Sequence, residues 1–440
     1  MSLTRRSFLT SAAAFSLFGE RLAAAVQGTD LFETPDGRAA DFLVCRRLYL
    51  DVCGRLPTMS ETEAYVASSD SEKLPALVDR LLASESFADY WSMRYCDILR
   101  VKSEFPINLW PNAVYVYHRR IRAAVAADEP WDAFARALLR GCGSNFRVPE
   151  ANFFRAVARR TPEGLSEAAS TTFLLEPSEE FAPYFSHIAW KSTREWKEEI
   201  VYRTDGPDDE TPEAFAERLT DGDLRERFIA AQVSRFHWWL FGTLPPEDRR
   251  DAWAELFEAA GLRLKPFLRQ VLVSPEYLAG PIRGGFPARR LDAEVLDDAI
   301  CDLTGAERSF VSIAPEPFTY LPKARRSVLV EDGSISSPFL LLFGRPARDT
   351  GLLAERSNAI TAKQRLYLYN SGKLAGSFAQ MLGAPRFKAL PRPEKIRELY
   401  LRFLSRPSTA AESGLIEENK LWPRDIAWLL LNSREFLYRI

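Results

Sequence analysis

A set of identical residues recurs near the two ends of the chain, always 351 positions apart, and this repeat constrains the fold more than any other feature. The copies span 48–61 and 399–412, with Leu-Tyr-Leu, Arg, Thr and Glu at matching places. In both copies Thr-x-x-Glu is typical of a capping box, so a helix is predicted to begin at each threonine. Each copy then reaches the ending Leu-Leu-x-Ser-x-x-Phe, at 81–87 and 430–436.

A looser third copy lies between these two. Gly242–Pro245 matches the turn Gly54–Pro57 of the first copy, and Val271–Tyr277 matches the common ending. The repeat therefore predicts a helix-turn-helix-turn-helix module that is used three times. Because such modules pack helix against helix, we expect a mainly α fold whose domains are built from repeated helical modules.

The rest of the chain is predicted to be helical as well. Apolar residues recur mostly at spacings of three and four, and alternation with period two is scarce. The acidic, proline-containing stretch 205–212 is too polar to bury, so a linker is predicted at 204–213, between helical domains at 36–203 and 214–440. The segment near 309–348 loses the helical periodicity and is predicted to be irregular, and such segments are often functional.

The first 25 residues are predicted to be an export signal rather than part of the fold. Arg5 and Arg6, followed by Phe-Leu, are typical of a twin-arginine signal, and Ala23–Ala25 fits a cleavage site. The apolar region Phe8–Phe18 is too short to span a bilayer. These features predict transport by the Tat translocase and a periplasmic or secreted mature protein that does not contact the membrane after cleavage. The alternative interpretation is an ordinary amphipathic first helix.

Charge and cysteine content bear on partners and compartment. Without the three arginines and one glutamate of the leader, 55 basic and 59 acidic residues remain. That balance predicts binding neither to nucleic acid nor to a membrane surface. The five cysteines cannot all pair, so we expect buried apolar side chains, and the sequence leaves open whether any pair forms.

Sequence motifs for metals and cofactors are scarce. The three histidines, His118, His187 and His237, do not stand at ligand spacings from one another. The sequence contains no P-loop, no Gly-x-Gly-x-x-Gly and no Gly-x-Ser-x-Gly. We therefore expect no metal and no cofactor.

Two groups of polar residues interrupt the amphipathic pattern. Gly141–Arg147, with Ser144 and Asn145, is either a turn whose backbone approaches a ligand closely or a glycine C-cap. The second group combines three arginines with two carboxylates: Arg345, Arg348, Asp349, Glu355 and Arg356. It predicts either an anion-binding pocket or a buried ion-pair network that holds the irregular segment. These residues form the candidate anion or partner site, and catalytic residues stay unassigned.

The same residues carry a resemblance to known families. Motifs of the first half resemble the domain of unknown function DUF1549: Arg46–Asp51, Leu56–Thr58, Leu77–Leu82, Trp91, Asn108–Ala113 and Gly143–Phe146. Motifs of the second half resemble its usual companion, DUF1553: Arg290–Glu294, Phe343–Thr350, Glu355–Ser357, Leu368–Ser371 and Leu431–Phe436. The resemblance runs from about residue 38 to residue 440.

This resemblance implies an exported helical protein, frequently encoded beside a second twin-arginine exported protein that is similar to alkaline phosphatases and sulfatases. Many members also carry Cys-x-x-Cys-His between the two domains. In the corresponding segment here, 181–187, only His187 is present, so a haem or metal bound through that motif is not expected.

Two functions of different kinds remain open, and with them whether the protein is an enzyme. The first is a non-catalytic interaction or accessory subunit for a co-exported phosphatase- or sulfatase-like hydrolase. The alternative is a hydrolase or binding enzyme that acts on anionic polysaccharide. In that case Arg345, Arg348 and Arg356 would hold the anion, and Asp349 or Glu355 would serve as acid or base.

Overall fold

The computed structural model of the protein describes residues 31–312 and 320–440. The predicted export signal at 1–25 lies outside these residues, as do residues 313–319 of the segment predicted to be irregular. Helices dominate the described part of the chain, and its strands are short. The prediction of a mainly α fold is confirmed.

The helices are distributed on both sides of the predicted linker. In the described residues, eight α-helices precede it: α1 (Asp41–Cys53), α2 (Met59–Ala67), α3 (Lys73–Leu82), α4 (Glu85–Ile98), α5 (Pro111–Ala126), α6 (Trp131–Leu139), α7 (Asn152–Arg155) and α8 (Pro162–Leu174). Those after it are α9 (Pro212–Thr220), α10 (Arg225–Phe241), α11 (Glu247–Ala259), α12 (Leu264–Leu272), α13 (Ala293–Thr304), α14 (Pro338–Leu342), α15 (Ala362–Asn370), α16 (Gly372–Gly383), α17 (Pro385–Ala389), α18 (Arg392–Leu404), α19 (Ala410–Glu418), α20 (Pro423–Leu431) and α21 (Arg434–Leu437).

Two small antiparallel sheets accompany the helices. The first has the strand order β1-β3-β2 and the second pairs β4 with β5. The strands are β1 (Gly143–Ser144), β2 (Ile188–Ser192), β3 (Glu199–Arg203), β4 (Arg289–Arg290) and β5 (Tyr438–Arg439).

The threefold module is present as α1–α3, α10–α12 and α18–α20. In each module the first helix ends at a residue in the left-handed conformation, with φ of 58° at Gly54, 80° at Gly242 and 60° at Ser405. This conformation turns the chain sharply, and glycine adopts it without the steric cost that a side chain brings.

Local hydrogen bonds fix the later turns of the module. The backbone N–H of Glu61 donates to Thr58 Oγ1 (3.2 Å), and the backbone N–H of Thr58 donates to the Glu61 carboxylate (2.7 Å). Thr409 and Glu412 form the same capping box, at 3.1 and 2.7 Å. In all three modules the serine of the common ending accepts the backbone N–H three residues ahead, at Ser84, Ser274 and Ser433. The predicted capping boxes are confirmed.

An arginine in each outer module binds the capping glutamate with two hydrogen bonds. Arg55 donates to Glu61 at 2.8 and 2.7 Å, and Arg406 donates to Glu412 at 2.7 and 2.9 Å. The side chains of the first pair are 27% and 28% exposed, whereas those of the second are 1% and 2% exposed. The same motif is therefore partly solvated in one copy and fully buried in the other.

The first module packs against the last part of the chain. Arg46, in α1, donates from Nη1 to the backbone carbonyl of Phe403 at the end of α18 (2.8 Å). Asp51, also in α1, accepts a hydrogen bond from Arg439 Nη1 at 3.0 Å. Residues from near both ends of the chain therefore form one packed unit.

A single apolar core extends across both sides of the predicted linker. Helix α6 packs on α9, and α8 packs on α10. Trp131 of α6 stacks on Phe228 of α10 with ring centroids 6.0 Å apart. Helices from both predicted domains thus share one core, and the boundary at 204–213 stays a prediction.

Two predictions from composition can be compared with the structure. The five cysteines all lie in described residues and are unpaired; four are buried and Cys142 is partly exposed. None of the helices in residues 31–312 and 320–440 combines the length and the apolar character needed to cross a membrane.

We expect Glu412→Gln to lower the free energy of unfolding by about 3 kcal/mol, because the buried charge of Arg406 then loses one of the carboxylates that compensate it. Glutamine preserves the capping box, so the loss reports the ion pair. The matched change Glu61→Gln, in the partly solvated copy, should cost about 1 kcal/mol or less. Urea unfolding of both variants measures the difference, and equal losses would contradict the role assigned to burial.

Candidate functional site

The arginines singled out in the sequence meet the end of α4. Asp97, in the last turn of this helix, accepts a hydrogen bond from Arg348 Nε at its Oδ1 (2.9 Å). Its Oδ2 accepts two from Arg356, from Nε at 3.1 Å and from Nη2 at 2.7 Å. Asp97 and Arg348 are 251 residues apart in the sequence, so this contact joins the two halves of the chain.

Glu294, in the first turn of α13, is the second carboxylate of this cluster and is fully buried. Arg356 donates to it from Nη1 at 2.6 Å and from Nη2 at 3.1 Å. Arg345 Nε lies 3.3 Å from Glu294 Oε1. Arg356 therefore bridges the carboxylates of Asp97 and Glu294, and with them α4 and α13.

Asp292, just before α13, is the third carboxylate. Its Oδ2 accepts hydrogen bonds from Arg94 Nη2 (2.8 Å) and Tyr90 Oη (3.2 Å), both from α4. Its Oδ1 accepts from Arg289 (3.3 Å) and from Asn358 Nδ2 (3.0 Å). We call the following side chains the buried ion network: Arg94, Asp97, Asp292, Glu294, Arg345, Arg348 and Arg356.

Burial and charge act in opposite directions on the pKa values of the network. Burial favours the neutral acid at Asp292, but nearby arginines, Arg94 foremost, outweigh it and hold its pKa well below the usual range. The pKa of Glu294 is lowered against burial in the same way, chiefly by Arg356. Although burial lowers the pKa of Arg356, the carboxylates of Asp97 and Glu294 raise it well above its ordinary value. Asp292, Glu294 and Arg356 are therefore ionised at neutral pH.

Two of the arginines also order the irregular segment. Arg348 Nη1 donates to the backbone carbonyl of Glu331 (2.6 Å), and Arg345 Nη2 donates to that of Asp332 (3.2 Å). A Cβ on Gly333 would lie 2.9 Å from Arg348 Cδ, so a glycine is needed where the chain passes this side chain. These side-chain contacts add to isolated backbone hydrogen bonds, such as the one from Gly333 to the carbonyl of Val101 (2.9 Å).

The two predicted carboxylates lie at the rim of the buried ion network. Lys102 Nζ is 2.5 Å from Asp349 Oδ1, and the Asp349 side chain is 33% exposed. Glu355 Oε1 accepts the backbone N–H groups of Asp349 (3.0 Å) and Thr350 (3.1 Å). Both carboxylates therefore take part in holding the turn at 349–355.

The structure thus brings five of the candidate residues into one region. Arg345, Arg348 and Arg356 lie in the network, with Asp349 and Glu355 beside them. Of the two interpretations made from the sequence, the geometry favours the ion-pair network, because each guanidinium already faces a carboxylate. Anion binding by these arginines stays a prediction.

Ser144 and Asn145 lie elsewhere, at the sheet β1-β3-β2. The Ser144 hydroxyl donates to the Glu198 carboxylate, and Asn145 Oδ1 accepts the backbone N–H of Glu199 in β3 at 2.9 Å. Both side chains tie β1 to the chain at β3. Their role in binding a ligand or partner stays a prediction.

Gly141, just after the C-cap residue of α6, is explained by packing. It does not adopt the left-handed conformation that a capping glycine needs, so the interpretation of this turn as a glycine C-cap is wrong. A Cβ on Gly141 would lie 2.4 Å from the backbone carbon of Glu150. The absence of a side chain therefore lets two segments of this chain approach closely.

Sequence reasoning missed the three carboxylates of the network. Asp292 and Glu294 stand inside a motif that carried the family resemblance, but no role was assigned to them. Asp97 lies between two buried residues of α4, Cys96 and Ile98. An acidic residue within such an apolar run is a signal that could have pointed to a buried cation.

The segment that holds the network also carries several exposed apolar side chains. We define the 341–369 surface by four side chains with their exposed fractions: Leu341 (65%), Ile360 (42%), Leu366 (61%) and Tyr369 (46%). Leu366 and Tyr369 are three residues apart in α15 and therefore neighbours on the helix.

Aromatic side chains join the two helices of this surface. Phe339 and Phe343 of the α14 region stack with ring centroids 4.3 Å apart. Tyr367 of α15 meets both rings edge-on, at 5.7 and 6.2 Å. The relative position of α14 and α15 is thus set by packed rings.

Among residues 31–312 and 320–440, no group of three or more histidine, cysteine, aspartate or glutamate side chains could hold a metal ion. His118, in α5, lies near the buried ion network. Burial, together with the positive charges of Arg348 and Arg325, lowers its pKa to about 3. The imidazole is therefore neutral over the physiological range of pH.

We expect Asp97→Asn to lower the free energy of unfolding by about 3 kcal/mol, because Arg348 and Arg356 lose a shared carboxylate. Asp349→Asn, at the partly exposed rim, should cost about 1 kcal/mol or less. Chemical denaturation followed by tryptophan fluorescence compares the two variants. Wild-type stability of Asp97→Asn would show that the arginines do not depend on this partner.

His118 should make the protein less stable in mild acid. In the unfolded chain a histidine has a pKa of about 6.5 and takes up a proton below that pH. In the folded protein His118 has a pKa of about 3 and stays neutral down to that pH. The free energy of unfolding therefore decreases as the pH falls between these two pKa values, by about 2.5 kcal/mol from pH 7 to pH 4.5. The variant His118→Gln has no imidazole to protonate, so its free energy of unfolding should not decrease in this way. The difference in unfolding free energy between the variant and the wild type should therefore change with pH. A constant gap from pH 7 to pH 4.5 would refute the assignment.

Two family models match the chain, and the buried ion network has residues in both matches. PSCyt2, a protein of unknown function (DUF1549), matches residues 24–183, and PSD1, a protein of unknown function (DUF1553), matches residues 282–419. Asp97 lies in the first match, and Arg348 and Arg356 lie in the second. No curated protein and no solved structure matches the chain. The chain therefore has the two-domain arrangement of a DUF1549 region followed by a DUF1553 region, both of unknown function.

Proposed function

We propose that the protein is an exported, non-catalytic accessory subunit that binds a co-exported hydrolase of the phosphatase or sulfatase type. The observation that carries this proposal is the 341–369 surface. Large apolar side chains exposed together on packed helices are typical of a protein-binding surface. Burial of one leucine or isoleucine contributes about 1.5–3 kcal/mol, so a partner that covers this surface gains substantial free energy.

Contacts within and between α14 and α15 hold the 341–369 surface in one conformation, which favours specific binding. Gln364 Nε2 donates to the backbone carbonyl of Leu342 (2.9 Å), which ties α15 to the end of α14. Thr361 and Gln364 form a capping box that fixes the start of α15. The buried ion network holds the chain between the two helices. A surface that is already in its binding conformation loses little entropy when the partner arrives.

The choice of partner rests on the family resemblance, which places genes of this family beside those of exported phosphatase- and sulfatase-like proteins. The predicted twin-arginine signal is consistent with this choice, because that route carries folded proteins. A complex assembled in the cell would therefore be able to pass the membrane as one unit.

The alternative, an enzyme that acts on anionic polysaccharide, has less support from the geometry. Asp349, one proposed acid or base, is paired with Lys102. Glu355, the other, accepts two backbone N–H groups. Both carboxylates thus already hold the turn at 349–355, whereas a general acid or base must reach the substrate.

We expect Leu366→Glu to weaken binding to the neighbouring hydrolase by at least about tenfold, because a charge would be buried where an apolar side chain packs. The protein and the hydrolase are co-expressed, and the tagged protein is recovered from the periplasm. The retained hydrolase is quantified against a matched control, Leu244→Glu, at a side chain that is 57% exposed in the turn after α10.

Two results would count against this function. The first is recovery of the wild-type protein as a monomer without the hydrolase. The second is equal retention of the hydrolase by both variants, which would show that the partner does not bind at the 341–369 surface.

A further inference from the structure

A cavity of about 240 Å³ lies beside the 341–369 surface, between α15 and the chain around the end of α20 and α21. Three arginines line it, together with two tyrosines and an asparagine: Arg290, Arg365, Arg434, Tyr369, Tyr438 and Asn432. Among the described residues that line this cavity, none is acidic. Three positive charges thus share one cavity without a negative charge in its wall.

Arg290 is the buried charge of the cavity, with an exposed fraction of 4%. It donates from Nη1 to the carbonyl of Leu291 (2.8 Å) and from Nη2 to those of Phe343 (2.6 Å) and Ser357 (2.7 Å). Its Nε donates to the carbonyl of Asn358 (3.3 Å). A guanidinium carries five N–H groups, and these four hydrogen bonds use four of them. One N–H on Nη1 of Arg290 therefore has no acceptor among the described residues. Backbone carbonyls fix the side chain in place without neutralising its charge.

Arg365 and Arg434 are exposed and line the same cavity. Neither forms an ion pair with a carboxylate of residues 31–312 or 320–440. The Arg434 guanidinium lies 5.9 Å from the centroid of the Tyr438 ring. Guanidinium groups bind carboxylate and sulfate oxygens with charge-assisted hydrogen bonds, so the cavity favours an anion.

The remaining wall suits a ring with hydroxyl groups. Tyr369 and Tyr438 offer flat faces for C–H groups and hydroxyls for hydrogen bonds. Asn432 Nδ2 donates to the carbonyl of Trp428 (2.9 Å), and its Oδ1 can accept a further donor. The volume is smaller than the roughly 300–1,000 Å³ of pockets for larger ligands, so a single ring fits best.

We propose that this cavity binds an anionic sugar residue, one ring that carries a carboxylate or a sulfate, with Arg290, Arg365 and Arg434 around the anion. A free monosaccharide and the end of a polysaccharide chain present the same chemistry. The inference does not rest on the proposed accessory function, because the protein binds this ligand without a partner.

Isothermal titration of the full mature chain tests the ligand class. We expect D-glucuronate or glucose 6-sulfate to bind, and neutral D-glucose to bind at least about tenfold more weakly. An oligoglucuronate separates the two sources: tighter binding of the oligomer identifies a chain end, and equal or weaker binding identifies a free monosaccharide. Absence of binding of both anionic monosaccharides, or equal binding of glucose, would overturn the proposal.

A pair of variants tests the site. Arg365→Gln combined with Arg434→Gln should weaken binding of the anionic monosaccharide by about tenfold or more, and both side chains are exposed, so the fold should persist. The control combines Arg119→Gln with Arg386→Gln, which changes the net charge equally at two other exposed positions. Equal affinity of the two double variants would place the anion elsewhere. Hydrolase retention is measured separately, so the two proposals can fail independently.

Discussion

The structure depends on burying arginines beside carboxylates that lie far away in the sequence. Moving a charge out of water is costly, and the cost is offset only when a complementary charge and further hydrogen bonds are in place. Arg356 meets this condition through Asp97 and Glu294, one from each half of the chain. Loss of any one of the three carboxylates leaves buried arginines with uncompensated charge. The helices before the predicted linker, α13 and the irregular segment therefore reach their final packing together.

Local features of this fold could be predicted, because the residues that form them are close in sequence. Thr58 and Glu61 are three residues apart, so their capping box follows from the sequence alone. The same holds for the left-handed turn at Gly54. The partners of Arg348 could not be predicted, because nothing in a single sequence says which of many distant carboxylates will face a given arginine. The clustering of polar residues at 343–357 was visible, but its counterpart in α4 was not.

Exposure was equally hard to predict. Leu366 and Tyr369 lie in a helical pattern of apolar residues that is typical of a buried helix face. Only the packing around α15 shows that both side chains are exposed to solvent. Arg290 illustrates the reverse case: it is a charged residue that is buried against the backbone carbonyls of Leu291, Phe343 and Ser357. The 341–369 surface, the cavity and the buried ion network share one stretch of chain. A disturbance of the network would therefore also displace the groups available for binding.

The contact between α1 and the end of the chain has a consequence for biosynthesis. Asp51 and its partner Arg439 are 388 residues apart. At about 5–20 residues per second, the ribosome needs roughly 20 to 80 seconds to make the intervening chain. Through that interval Asp51 of the nascent protein lacks Arg439, and Arg46 lacks the backbone carbonyl that accepts its hydrogen bond in the finished fold. The packing of α1 can therefore be completed only after the residues around Arg439 have been synthesised.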